Sequence, residues 1–339
     1  MWARASSPVL TSTRPLPHVL YPECPNAAVN ALEANFLRSH FSGKFWFTLA
    51  VAVLLWGSAP PGIRAALKGY SPAHLALLRF GTATLVLTAY GASSGLRLPA
   101  HRDLPGLIIA GAVGIAFYNT ILNYGMVTTP AGTASFLIAS TPIWTALLAI
   151  FTLGERLNAW GWTGIVIGFF GIAVLARERG HGLHFSQGAL LILVGAISYG
   201  LYMVLQKRML GRYPALAFTT YSFWAGSLLM LVFAPGAVAE VRAAPLSATL
   251  ALLYLAVFPA AVANFAWAYA MSHATASRIS SFLYLMPLVS VALAWAWLNE
   301  VPTLLSLVGG VLALAGVALV NWKGHVKAAA PSPLPEIAD

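Results

Sequence analysis

Residues 119 to 155, NTILNYGMVTTPAGTASFLIASTPIWTALLAIFTLGE, return almost in register 145 positions later as residues 264 to 300. Asn119, Tyr124, Met126, Ala131, Ser135, Pro142, Leu148, Leu153 and Glu155 match Asn264, Tyr269, Met271, Ala276, Ser280, Pro287, Leu293, Leu298 and Glu300 without a gap. Carried from Gly106 to Val174, the register holds 16 identities in 69 positions; so apolar a composition gives roughly a tenth by chance. The chain therefore contains one structural unit twice, and any fold for it has to place two copies.

Those copies are built for lipid. Hydrophobic residues make up 59% of the chain and charged residues 8%, with a mean hydropathy of +0.78; this excludes an ordinary soluble domain and points to a polytopic all-α membrane protein. The single cysteine, Cys24, allows neither an intramolecular disulfide nor a multi-cysteine metal site. The net charge of +10 is scattered between apolar runs rather than gathered on one segment, so it argues against nucleic acid and for a topology signal.

A membrane helix needs about 20 mostly apolar residues. Cutting at charges, Gly/Pro clusters and polar turns predicts ten: 45–67, 73–93, 103–126, 130–152 and 159–176, then 187–208, 214–234, 247–271, 275–297 and 303–322. The domain plan is a first repeat over 45–176 and a second over 187–322. Residues 1–44, rich in proline and lacking a signal-peptide core, read as a disordered cytosolic tail, and 323–339 as a second one.

With the amino terminus inside, 13 of the 19 basic residues fall on the cytosolic side and five outside, Arg64, Lys68, Arg177, Arg179 and Arg242. This split favours both termini inside. Equivalent positions of the two copies are separated by five crossings, an odd number, so the copies face opposite ways: an inverted-topology repeat, as in many secondary transporters.

The candidate functional residues are those that are costly in lipid. Pro142 and Pro287 sit mid-span and free the carbonyls of Ile138 and Leu283, while Pro60 and Pro61 break the first span; these are candidate gating bends. Asn119 and Asn123 share a helical face, as do Asn264 and Trp267. The duplicated pair Asn119 and Asn264 serves equally as interhelical glue, whereas Asn123 has no twin and reads more strongly as a substrate contact. Trp56, Tyr199, Tyr202, Ser281 and Tyr284 offer an aromatic and polar cavity wall, with packing as the alternative use. Arg79 is the one ionised side chain well inside a span, about 9 Å from its outer end at 1.5 Å per residue. All nine acids lie in tails, loops or span ends, which argues against a proton relay through carboxylates at mid-membrane. Glu155 and Glu300 are placed to cap the helices after their turns. HGLH at 181–184 has no third ligand nearby, so no metal, cofactor or catalytic residue is predicted.

The spans LLWGSAPPGIRAAL and SPAHLALLRFGTATLVL, with TASFLIASTPIWTALLAIFTLGERLNAWGWTGIVIGFFGIAVLA in the repeat core, resemble the signatures of the EamA family of the drug/metabolite transporter superfamily. The resemblance covers about residues 45 to 322. It implies ten helices in two repeats, cytosolic termini, a bacterial inner membrane, and transport of small metabolites, often export of amino acids. It matches Trp56 and Gly57 to the first-helix motif, Arg79 to the second-helix arginine, and Pro142 with Glu155, repeated as Pro287 with Glu300, to the fourth-helix proline and turn acid. Two positions depart from the pattern: Ala59, Pro60 and Pro61 follow WGS, and Asn299 replaces the glycine of LGE.

The leading reading is a secondary transporter working by alternating access on a small amphipathic metabolite such as an amino acid, as a monomer or homodimer in the bilayer. A membrane enzyme acting on lipid-linked groups would need a nucleophile, metal cluster or acid/base pair at membrane depth, which the residues do not offer. A non-transporting scaffold fits the composition but leaves the paired breaks unused, and it would support no solute flux.

Overall fold

The computed structural model describes residues 43–153, 156–176, 186–273, 281–323 and 325–326. The apolar spans all belong to the unit Lys44–Asp339. Among the described residues, seven helical stretches are long and apolar enough to cross a membrane. They are the first span (Phe45–Ala66), second (Pro72–Ser93), third (His101–Met126), fourth (Ala131–Leu148), sixth (Gln187–Gln206), seventh (Leu216–Phe233) and eighth (Leu246–Trp267). Apolar helices at the fifth, ninth and tenth places, Ala159–Leu175, Phe282–Leu298 and Leu304–Val320, are shorter. In the ninth, Ser281–Leu285 is a 3-10 segment and the α-helix begins at Met286. Large apolar side chains such as Phe47, Leu85, Phe151 and Val166 stand on the surface, as lipid rather than water requires.

Local chemistry sets the ends of these helices. Ser71 caps the second span and Pro72 opens it, where a missing N–H costs nothing. The helix Met286–Leu298 closes on Asn299 at φ 56°, the left-handed region that asparagine tolerates; this explains how Asn299 stands in for a turn glycine. A helix of seven residues, Ala237–Ala243, lies in the loop between the seventh and eighth spans. Arg156–Leu157 and His325–Val326 pair as a two-residue antiparallel bridge.

The fifth and tenth spans show the inversion directly. A Cβ on Gly164 would lie 2.7 Å from the Gly316 carbonyl, and one on Gly171 would lie 2.7 Å from the Gly309 carbonyl. Gly309 and Gly316 are the register twins of Gly164 and Gly171, so each contact maps onto the other when the copies are exchanged. Because 164 meets 316 while 171 meets 309, the helices run antiparallel, as oppositely facing copies must. Only glycine lets the backbones approach so closely.

The repeats also interlock. The third span packs against the sixth and seventh, and the eighth packs against the second. Two carboxylates, each near the junction of its repeat's second and third spans, hold the other repeat near the start of its second span. Asp103 accepts from Arg212 and, at 2.8 Å, from the Tyr213 hydroxyl. Glu240 accepts from the Ser71 N–H at 2.9 Å and lies 2.9 Å from His74 Nδ1.

Candidate functional site

The third and eighth spans change their winding at the same place. Gly111–Phe117 is a π-helix, and so is Ala256–Val262; adding 145 to 111–117 gives 256–262. Pro259 contributes to the second one by removing a backbone donor. A π segment leaves carbonyls poorly matched to the following α-turn, and the duplicated asparagines answer this. Asn119 Nδ2 donates to the carbonyls of Gly114 (3.3 Å) and Ile115 (3.0 Å), and Asn264 Nδ2 donates to that of Ala260 (2.7 Å), the twin of Ile115. The amide donors of Asn119 and Asn264 are thus engaged by carbonyls of their own helices. Ser198 Oγ donates to the Val113 carbonyl at 2.6 Å.

Trp56 has a related duty. Its indole N–H donates to the Pro259 carbonyl at 3.0 Å, and its ring packs on Trp267 with centroids 5.0 Å apart. The two candidate tryptophans therefore form one contact joining the first span to the eighth, and Trp56 remains only half-buried.

The three candidate gating prolines all stand at the second position of a new helix rather than within a continuous bent one. Pro60 follows Ala59, Pro142 follows Thr141, and Pro287 follows Met286. The freed Ile138 carbonyl accepts from Thr141 Oγ1 at 2.7 Å, and Ser140 Oγ donates to Leu137 at 2.6 Å, so the break in the fourth span is satisfied internally.

Three tyrosines stack across the third and sixth spans. Tyr118 and Tyr199 have centroids 4.6 Å apart at 28°, and Tyr199 and Tyr202 5.4 Å apart at 22°. Tyr202 seats on Gly114, where a Cβ would meet its ring at 2.2 Å. Tyr118 was not singled out in the sequence, and its position one residue before Asn119 was the signal available. Tyr284 donates to the Val317 carbonyl at 3.3 Å, in the tenth span. The side chain of Ser281 and all of Glu155, Ser280 and the HGLH segment lie outside the described residues.

Arg79 is 5% exposed. Its Nε and Nη1 are buried without a hydrogen-bond partner, and the Phe80 ring centroid lies 5.0 Å from the guanidinium carbon. The described carboxylates Asp103, Glu240 and Glu300 are all engaged elsewhere. Asn123 is wholly buried. Its Nδ2 donates to the Pro72 carbonyl at 3.1 Å, while its Oδ1 has no partner.

Glu300 does not cap the helix after its own turn, where Thr303 Oγ1 accepts from the Ser306 N–H at 3.0 Å. It reaches the first repeat instead. Glu300 Oε2 accepts from the Ala131 N–H at 2.8 Å, at the start of the helix Ala131–Ile138, and Oε1 accepts from Arg64 Nε at 3.1 Å. Arg64 Nη1 also donates to the carbonyls of Met126 and Val127. One acid of the second repeat so ties together three segments of the first.

Two inverted helical repeats, paired helix breaks and an interior cation define an integral membrane protein of the transporter class. The chain belongs to the EamA-like transporter family, which matches it twice, over residues 42–177 and 186–322. It is 39% identical over 269 residues to "Uncharacterized transporter YdfC" of Bacillus subtilis, covering 79% of this chain and 88% of that one. It is 38% identical over 278 residues to the "Probable terminal-alkyne amino-acid exporter" of Streptantibioticus cattleyicolor, covering 82% and 93%. "Uncharacterized inner membrane transporter YedA" of Escherichia coli is 29% identical over 293 residues, covering 84% and 93%. A crystal structure with 21% identity superposes with a TM-score of 0.56 over 80% of this chain and 94% of the other, a likeness of fold.

Proposed function

We propose that the protein moves small amphipathic metabolites, amino acids or related compounds, across a bacterial inner membrane as an exporter or facilitator. The observation that carries the substrate class is Arg79: a guanidinium closed inside the repeat interface with unpaired donors, in an environment where an uncompensated charge costs about 3 kcal/mol or more. A carboxylate-bearing solute supplies the missing partner. The relative named as an amino-acid exporter supports this reading. Ten crossings, both termini in the cytosol and the bends at Pro60, Pro142 and Pro287 complete the alternating-access scheme, in which the repeats rock about the central site. The protein acts as a carrier rather than an enzyme, a reading its transporter relatives support.

Purified protein in liposomes tests this with a panel of amino acids, aromatic acids, sugars and nucleosides, each with and without a pH gradient. Uptake of amino acids above protein-free vesicles is expected. Uptake confined to sugars or nucleosides, or to none of the panel, refutes the proposal.

A further inference from the structure

Arg79 is not the only unanswered group in the interior. Asn123 lies on the third span with its orientation fixed by the structure: the Pro72 carbonyl can only accept, so the amide nitrogen faces it. The amide oxygen is thereby left facing the interior, buried and without a partner. Pro72 and Arg79 are seven residues, about two turns, apart on the second span and share one face. Helical side chains lean toward the amino-terminal end of their helix, which carries the Arg79 head group back toward the turn that Asn123 touches. Tyr118, five residues before Asn123 on the same span, is buried and stacks on Tyr199.

Buried donors and acceptors are paired as a rule, and in lipid the rule is stricter. Here two guanidinium donors and one amide acceptor go without partners, and the span that carries Asn123 also carries the stacked Tyr118. No carboxylate among the described residues answers the first, and no donor answers the second. The complement is a molecule with an anionic acceptor at one end, a donor close by, and an apolar remainder.

We infer that Arg79 and Asn123 hold the two charged groups of a zwitterionic α-amino acid. The guanidinium takes the carboxylate, Asn123 Oδ1 accepts from the ammonium, and Tyr118 with Tyr199 forms the wall for an apolar or unsaturated side chain. The assignment rests on the transporter reading above and narrows it, from carboxylate-bearing metabolites in general to zwitterions. It also makes Tyr118 a specificity-determining residue and separates Asn123 from the structural pair Asn119 and Asn264.

The test is competition against uptake of labelled phenylalanine into liposomes by phenylalanine itself, phenylalaninamide, which lacks the carboxylate, and 3-phenyllactate, which lacks the ammonium. Both analogues are expected to compete at least tenfold more weakly in the unmodified protein. Arg79→Met should bring phenylalanine and its amide to within about twofold of one another, with Arg79→Lys keeping part of the difference. Asn123→Leu should instead narrow the gap between phenylalanine and phenyllactate. Equal competition by all three in the unmodified protein overturns the assignment without needing a variant. So does a tenfold acid preference that survives Arg79→Met in folded protein. Uptake of sugars or nucleosides but not phenylalanine overturns it and leaves a transporter of another cargo, whereas no flux of any solute removes the transporter reading itself.

Discussion

Removing the Glu300 carboxylate should release one face of the protein. Glu300 answers the first N–H of the helix Ala131–Ile138 and pairs with Arg64, which in turn holds the Met126 and Val127 carbonyls. The ion pair is part-exposed, with side-chain exposures of 30% and 21%, so its share is modest. The acceptor at the helix start is worth about 1 kcal/mol and the part-exposed pair about 1 kcal/mol, together near 2 kcal/mol, or roughly 30-fold in an equilibrium. Asp103 with Arg212 and Tyr213 lies at the opposite end of the third span, about 35 Å away at 1.5 Å per residue, so only the Glu300 face should loosen. The assay is alkylation of a cysteine at Ala134, wholly buried one turn into that helix, with Cys24→Ser removing the native thiol. A membrane-impermeant maleimide is added to either face of sealed vesicles. Glu300→Ala should raise the labelling rate by about 30-fold from the Glu300 face only, and Glu300→Gln by less, since the amide oxygen still accepts from Ala131. A rate unchanged within twofold, or raised equally from both faces, would refute the argument that Glu300 holds that face shut.

Three further outcomes follow from the same contacts. Asn119→Ala removes the side-chain donor to the Gly114 and Ile115 carbonyls of the π segment and should cost about 1 kcal/mol, with Asn264→Ala costing less because that side chain is only part-buried; thermal unfolding in detergent reads both. Gly171→Leu places side-chain atoms where even a Cβ would lie 2.3 Å from the Ala313 nitrogen, so the fifth and tenth spans should separate and folded yield fall by several-fold on size-exclusion chromatography. Burial pushes the Glu240 carboxyl up, but the bonds from the Ser71 N–H, His74 and the Ser71 hydroxyl outweigh it and hold it below its usual 4.5. A depressed folded value gives stability that is complete above 4.5 and is lost as pH falls through the lower folded value; Glu240→Gln should flatten the melting temperature's pH dependence in that window.

The sequence carried the architecture further than the site. The register of 145 predicted the inversion, and Gly164, Gly171, Gly309 and Gly316 realise it as crossed backbone contacts. The prolines marked breaks at which each opens a new helix where a bend was expected, and at Pro142 the hydroxyls of Ser140 and Thr141 satisfy the Leu137 and Ile138 carbonyls. The π segments were illegible: the twin positions hold Gly114 in one copy and Pro259 in the other, and no shared residue announces the pair except the asparagines that follow. Those asparagines looked like a site because an amide in lipid needs a partner, and sequence alone does not say whether the partner is backbone or solute. Glu300 was predicted to serve its own turn and serves the other repeat, since capping rules describe neighbours in sequence and the fold supplies closer ones in space.

The most direct test of a single site reached alternately from two faces is counterflow. Liposomes containing the protein are preloaded with unlabelled phenylalanine or left empty, and the initial uptake of external labelled phenylalanine is compared. A carrier built from two rocking repeats predicts that preloading accelerates uptake and gives a transient accumulation above the external level. Uptake that is indifferent to the internal load, as through an open pore, would contradict it.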